Sequence, residues 1–300
     1  MTSVKQKVKK AVREFSWFKL IILLLLIIFS ILFVYLLYWA IITSFKMNRQ
    51  DFRINPLGLP KEWVTENYQL VMKEFGPLIT VNGVQQKVGV EQMIFHSLFF
   101  SVGCSIIATI VPCLMAYIVV RFPCTMSKVY YGIVIVTMIL PIVGAYPAEI
   151  QMLQSLNLYN KLWTPWVQKF TFLGMYFLVF HGMVRTLGKE YWEAAYIDGA
   201  GQFTVLFSII LPLLRNTIGL VILLLFIQFW NDYQTPLLYV PSYPTIAYGI
   251  YDLSNTFDRV MSSVPMKMTA CIVFVTPILL LYIIFKDKLM GNVTMGGIKE

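Results

Sequence analysis

Between Phe18 and Ile42 the sequence runs for 25 residues with Lys19 as its only charge. A helix rises about 1.5 Å per residue, so this run is long enough to cross a hydrocarbon core of roughly 30 Å. Other long apolar runs follow, and only 13% of the 300 residues are charged, against about 25% in soluble domains. In lipid the backbone amides must be satisfied inside the segment itself, which favours helices. The expected fold class is an all-α polytopic membrane protein. Hydropathy places six transmembrane helices, near 18–42, 95–120, 129–148, 168–185, 212–238 and 264–286. Pro112, Pro141 and Pro277 fall inside them, where neighbouring helices can re-satisfy freed carbonyls.

The net charge of +9 raises the question of nucleic acid, and its distribution answers it. Lys5, Lys7, Lys9, Lys10, Arg13 and Lys19 crowd the N-terminus just before the first apolar run, which reads as an orientation signal keeping that end cytoplasmic. A cleaved signal peptide would have an apolar region of only about 7–15 residues and a small-residue exit, so 18–42 is expected to remain as a span. With both termini cytoplasmic, segments 1–19, 121–128, 185–215 and 286–300 hold fourteen Lys/Arg against six Asp/Glu. The rest of the chain holds ten against nine. That asymmetry is the positive-inside pattern. The organisation is then a basic cytoplasmic N-terminus at 1–17, a membrane domain at 18–286 with an outside segment at 43–94, and a Gly-rich cytoplasmic tail at 287–300. Trp63 and Tyr68 in the outside segment read as interfacial anchors. Residues 76–92 read as a local insertion of unknown role.

Against this oily background residues 186–212 stand out. Here Glu190-Tyr191-Trp192-Glu193-Ala194-Ala195 is followed by Asp198 and Gly199, and the stretch ends in Leu211-Pro212. The pattern is helical: Trp192, Ala195 and Gly199 share one face, while Glu190 and Glu193 point elsewhere. Gly199 would weaken a helix by about 1 kcal/mol relative to Ala, a cost offset if another backbone approaches there or the chain bends. Pro212 suits the first turn of the next helix, where a missing N–H is harmless. Two readings fit these residues: a connector helix at the membrane surface, or a docking site for a soluble partner.

The spacing narrows the choice. Glu193-Ala194-Ala195, three residues, Gly199, nine residues, then Ile209-Ile210-Leu211-Pro212 resembles the EAA loop of binding-protein-dependent ABC importer permeases. The resemblance covers residues 20–300, strongly at 188–240 and loosely elsewhere. Lys189 and Tyr191 depart at positions where family loops vary. The six-span layout, the outside segment from Asn55-Pro56 to Asn67-Tyr68, the Trp230-Asn231-Asp232-Tyr233 end of span five and the Gly-rich tail look like the carbohydrate-uptake subfamily, in particular the smaller permease subunit of maltose-type importers.

That resemblance implies the type I ABC importer permease fold in a bacterial cytoplasmic membrane. It also implies a chain without its own ATPase site that forms half of a path for a sugar, oligosaccharide by subfamily habit. Glu190, Glu193, Ala194, Ala195, Asp198, Gly199 and Pro212 would form the coupling surface. Glu193 would face a basic residue of an ATPase subunit, with the small residues permitting close packing in its cleft. Asn292, Gly296 and Gly297 of the tail would contact the ATPases, although terminal fraying explains a Gly-rich end equally well. Trp230, Asn231, Asp232 and Tyr233 are candidates for a gate or sugar path, or else an interfacial helix end. Tyr243, Tyr248 and Tyr251 read either as receptor or sugar contacts or as ordinary loop aromatics. The implied partners are a second homologous permease, two ATPase subunits carrying the ATP–Mg, an extracytoplasmic sugar-binding protein and lipid. No nucleic acid is implied.

Gly188-Lys189 has no Gly before it at P-loop spacing, and Glu190 stands where Ser or Thr belongs. The four cysteines show no CxxC pattern and no nearby His, so neither a metal nor a disulfide is expected. An ABC permease for a non-sugar solute is the nearest alternative. A secondary transporter would show repeats and paired intramembrane acids, and an intramembrane enzyme would need companions for His96 and His181. The sequence supports neither.

Overall fold

The structure, a computed structural model, describes residues 17–81, 83–140, 144–255 and 261–293, with side chains at 48–50, 81 and 285–293 outside that description. Thirteen helices and one hairpin are present among these residues: α1 (Trp17–Ser44), α2 (Asn48–Ile54), α3 (Glu66–Glu74), β1 (Leu78–Val81), β2 (Val84–Lys87), α4 (Val90–Arg121), α5 (Thr125–Ile139), α6 (Tyr146–Ser155), α7 (Thr164–Gln168), α8 (Met175–Thr186), α9 (Glu190–Ile197), α10 (Gln202–Trp230), α11 (Gln234–Tyr239), α12 (Ile246–Asn255) and α13 (Val264–Val293). Four of them, α1, α4, α10 and the Val264–Ile284 part of α13, are long and apolar enough to cross a membrane.

The spans expected at 129–148 and 168–185 are shorter as helices. α5 has 15 residues and ends where Leu140 turns extended (ψ 114), the conformation favoured for a residue before proline, here Pro141. α8 has 12 residues and starts after Gly174, whose φ of 125 no L-residue adopts cheaply. Pro112 and Pro277 do lie inside long helices.

The chain divides into two compact units. One comprises residues up to Val71 together with Asp258–Val273, and it is tied at the end of α1. Asn67 Nδ2 donates to the Ser44 and Lys46 carbonyls at 2.8 and 3.0 Å, and Thr269 Oγ1 donates to Ser44 O at 3.1 Å. Lys46 is fully buried, and its Nζ donates to the carbonyls of Asn55 (2.6 Å) and Pro56 (3.2 Å). The Asn55-Pro56 turn thus closes on a cation.

The other unit centres on α4, with 56% of its most apolar window buried. Phe100, Cys104, Ala108, Cys113, Ala116 and Tyr117 of α4 pack with Phe177, Phe180 and Val184 of α8 and with Ile210, Leu214, Val221, Leu225 and Phe229 of α10. Small residues allow close approach, as membrane helix packing demands. A Cβ on Gly103 would lie 1.9 Å from the Trp166 indole, which stacks on Phe99 at 4.2 Å and donates to its carbonyl at 3.1 Å. Residues 76–92 include a hairpin, β1 pairing antiparallel with β2 from Leu78↔Lys87 to Val81↔Val84. Gly83 takes φ 80 in its turn.

Candidate functional site

α9 is a short helix built to end abruptly. Glu190 and Glu193 occupy its first turn, where acidic groups complement the positive end of the backbone dipole. At its other end Gly199 N–H donates to Tyr196 O (3.0 Å) and Ala200 N–H to Ala195 O (2.9 Å), with Gly199 at φ 81. This is a Schellman cap, and the glycine is its left-handed residue. A Cβ at Gly199 would meet nothing within 4 Å, so the glycine serves the turn's handedness rather than close packing within this chain.

The helix has two faces. Trp192 (3% exposed) and Ala195 are buried against the protein's own core, beside Val205 and Ile210. Glu190, Glu193, Ala194, Asp198 and Gly199 are exposed. Ala195 therefore turns inward, which leaves Ala194 and Gly199 as the small residues on the open face. Ile197, at 87% exposed, and Phe203, at 79%, add an apolar element that sequence reasoning passed over. Their signal is an isolated Ile and Phe bracketing the Asp-Gly-Ala-Gly turn.

After Gly201 the chain enters α10, which carries a π turn at Val205–Ile210 and then runs as α-helix from Leu211 to Trp230. Pro212 does not open a new helix. It lies ten residues inside a continuous 29-residue one, directly after the π turn, where the wider i→i−5 pattern, with Leu211 N–H on Leu206 O, relieves the crowding a proline ring causes. α9 is thus followed, after the turn at 198–201, by nine helical residues before Leu211-Pro212.

At the far end of α10 the candidate gate residues separate. Trp230 is buried, its ring 5.6 Å from Phe226. Asn231 donates back to Ile227 O at 2.8 Å. Asp232, two residues before α11, accepts from the Thr235 amide (3.0 Å) and hydroxyl (2.6 Å) in its first turn. Tyr233 presents an exposed ring stacked on Tyr251 at 4.5 Å and 10°. Beside them the Tyr239 hydroxyl donates to Glu149, while burial and then that carboxylate push the phenol's pKa up. Asn160 clasps the same segment, donating from its amide N–H to Tyr239 O (2.9 Å) and pairing reciprocally with Ser242. Of the tail candidates, Asn292 lies in the last turn of α13 with its side chain outside the described residues, and Gly296 and Gly297 lie outside them altogether.

Comparison with known proteins agrees with this architecture. The chain is 24% identical over 282 residues to the diacetylchitobiose uptake system permease protein NgcG of Streptomyces coelicolor, covering 91% of this chain and 86% of that one. It is 27% identical over 281 residues to the sn-glycerol-3-phosphate transport system permease protein UgpE of Agrobacterium fabrum, covering 90% and 94%. In three dimensions it matches a chain of a bacterial ABC transporter involved in the import of the acidic polysaccharide alginate. The TM-score is 0.72 at 18% identity, over 91% of this chain and 98% of the other, which establishes a shared fold. Residues 100–290, which include α9 and all of α10, match the family of binding-protein-dependent transport system inner membrane components. This chain belongs to that family.

Proposed function

We propose that this chain is one permease half of an ATP-driven sugar importer, oligosaccharide being the favoured solute, and that α9 is the helix through which ATPase subunits act on it. The observation that carries the reading is the build of α9. It is a rigidly capped helix presenting Glu193, Ala194, Ile197 and Asp198 outward, and only four residues separate it from the 29-residue α10. A compact element fused to a long helix can pass rigid-body motion into the membrane. The diacetylchitobiose relative supports an oligosaccharide. The sn-glycerol-3-phosphate relative favours a polyol phosphate as the second reading, and thermal protection of the cognate binding protein by one solute or the other separates them.

In this reading α5 and α8 complete six spans with both termini cytoplasmic. A second permease, two ATPase subunits holding ATP–Mg and an extracytoplasmic binding protein complete the assembly. The tail at 287–300 reaches the ATPases; unchanged coupling after deletion of 291–300 refutes that contact. Glu193→Lys tests the main claim: membrane insertion stays normal, while ATPase association and solute uptake fall. Normal complex yield together with normal uptake overturns it.

A further inference from the structure

Arg121 is the last residue of α4, sixty-nine residues before the first residue of α9, yet its guanidinium lies against the inward face of that helix. Its carbon stands 5.1 Å from the Tyr196 ring centroid and 5.6 Å from that of Trp192, with Phe122 also at 5.6 Å. Trp192 and Tyr196 are four residues apart and so share one side of α9. Trp192 is almost wholly buried, and Arg121 Nε and the Tyr196 hydroxyl are buried without a hydrogen-bond partner in the chain. No carboxylate forms an ion pair with Arg121 among the described residues, and the acids of α9 are exposed. The half-buried cation thus lies against the aromatic faces of α9, with the Tyr117 hydroxyl of its own helix also in its surroundings.

We propose that Arg121 is a positioning residue that clamps the coupling helix to α4, giving α9 a cationic attachment beyond its covalent links to α8 and α10 and the packing of Trp192 and Ala195. The link to α10 runs through Asp198-Gly199-Ala200-Gly201, and a contact on the inward face of α9 adds a path that does not pass through that corner. α4 is the most buried of the spanning helices, so a contact there delivers α9 displacement to the centre of the core. The guanidinium's planar stacking makes lysine an incomplete substitute. The clamp is a property of this chain; its role in coupling rests on the function proposed above.

The test is hydrogen exchange measured by mass spectrometry on the full chain, within its assembled complex in lipid nanodiscs. Arg121→Gln speeds exchange of the hydrogen-bonded amides at 193–200 about tenfold, the scale of losing partly desolvated cation–π contacts. The amides at 100–112 and 214–225 stay unchanged. Arg121→Lys falls between, and adding Trp192→Leu to Arg121→Gln gives less than the sum of the two effects. Unchanged exchange at 193–200, or equal acceleration across α4 and α10, overturns the clamp. With the same complexes reconstituted in sealed proteoliposomes, Arg121→Gln lowers solute taken up per ATP hydrolysed while ATPase subunits stay bound; an unchanged ratio overturns the coupling role. Wild-type complex that hydrolyses no ATP points instead to failure of the proposed function.

Discussion

Replacing Gly199 separates two reasons for a glycine in this loop. At φ 81 it is the left-handed residue of the α9 cap, and the space around an added Cβ is open within this chain. The penalty for Gly199→Ala is therefore conformational, about 1–2 kcal/mol for an L-residue in that region, or roughly a 5- to 30-fold shift in opening of the cap. Asparagine tolerates left-handed backbone, and this chain already uses it so at Asn157 (φ 54) and Asn160 (φ 58). Gly199→Asn should thus stay within about threefold of wild type, since Asn visits this region at low cost. Hydrogen exchange at Gly199 and Ala200 in the isolated, nanodisc-embedded chain reads the cap directly. Equal damage from Ala and Asn would refute a conformational role. With both tolerated in isolation but both blocking ATPase association, the glycine would instead be providing room for a partner.

Two further expectations follow from the first unit and the α4–α5 corner. Lys46→Met strands the Asn55 carbonyl that the buried ammonium now satisfies, while Pro56 O keeps its bond from the Trp39 indole at 2.8 Å, costing about 2 kcal/mol; a thermal melt within a degree of wild type contradicts this. Cys124 is the exposed cysteine, and its hydrogen bond with Ser127 holds the thiol below its ordinary pKa. The thiolate persists to lower pH than in a free thiol, so maleimide labelling should rise through a midpoint below the usual thiol range and then plateau. An impermeant maleimide should reach it only from the cytoplasmic side; labelling of intact cells contradicts the assigned sidedness.

What the sequence disclosed depended on how local the physics was. The candidate spans α1, α4, α10 and α13 were legible because each is long and holds an 18-residue stretch of high mean hydropathy with few charges. Lengths at 129–148 and 168–185 were misjudged because hydropathy averages over Pro141 and Gly174, single residues that stop helices without changing oiliness. The start of α10 was misjudged for the converse reason: Pro212 reads as a beginning, and a π turn absorbing it leaves no periodic signature. Asn82-Gly83 between Val81 and Val84 is a strong hairpin signal that went unread in the insertion. On α9 the spacing from Glu193 to Pro212 identified the family, and 3.6-residue periodicity put Trp192 and Ala195 on one face without disclosing that this face turns inward, away from Gly199. Neither gave Arg121, because a cation meeting rings across seventy residues is a tertiary fact.

The most direct test of the whole account is the energy source of uptake. In proteoliposomes holding this chain with its partner permease and ATPase subunits, and with binding protein outside, the account predicts that lumenal ATP alone drives accumulation of labelled oligosaccharide. It also predicts that Glu193→Lys abolishes that uptake without removing the chain from the membrane. Accumulation that follows an imposed ion gradient and ignores ATP would contradict it.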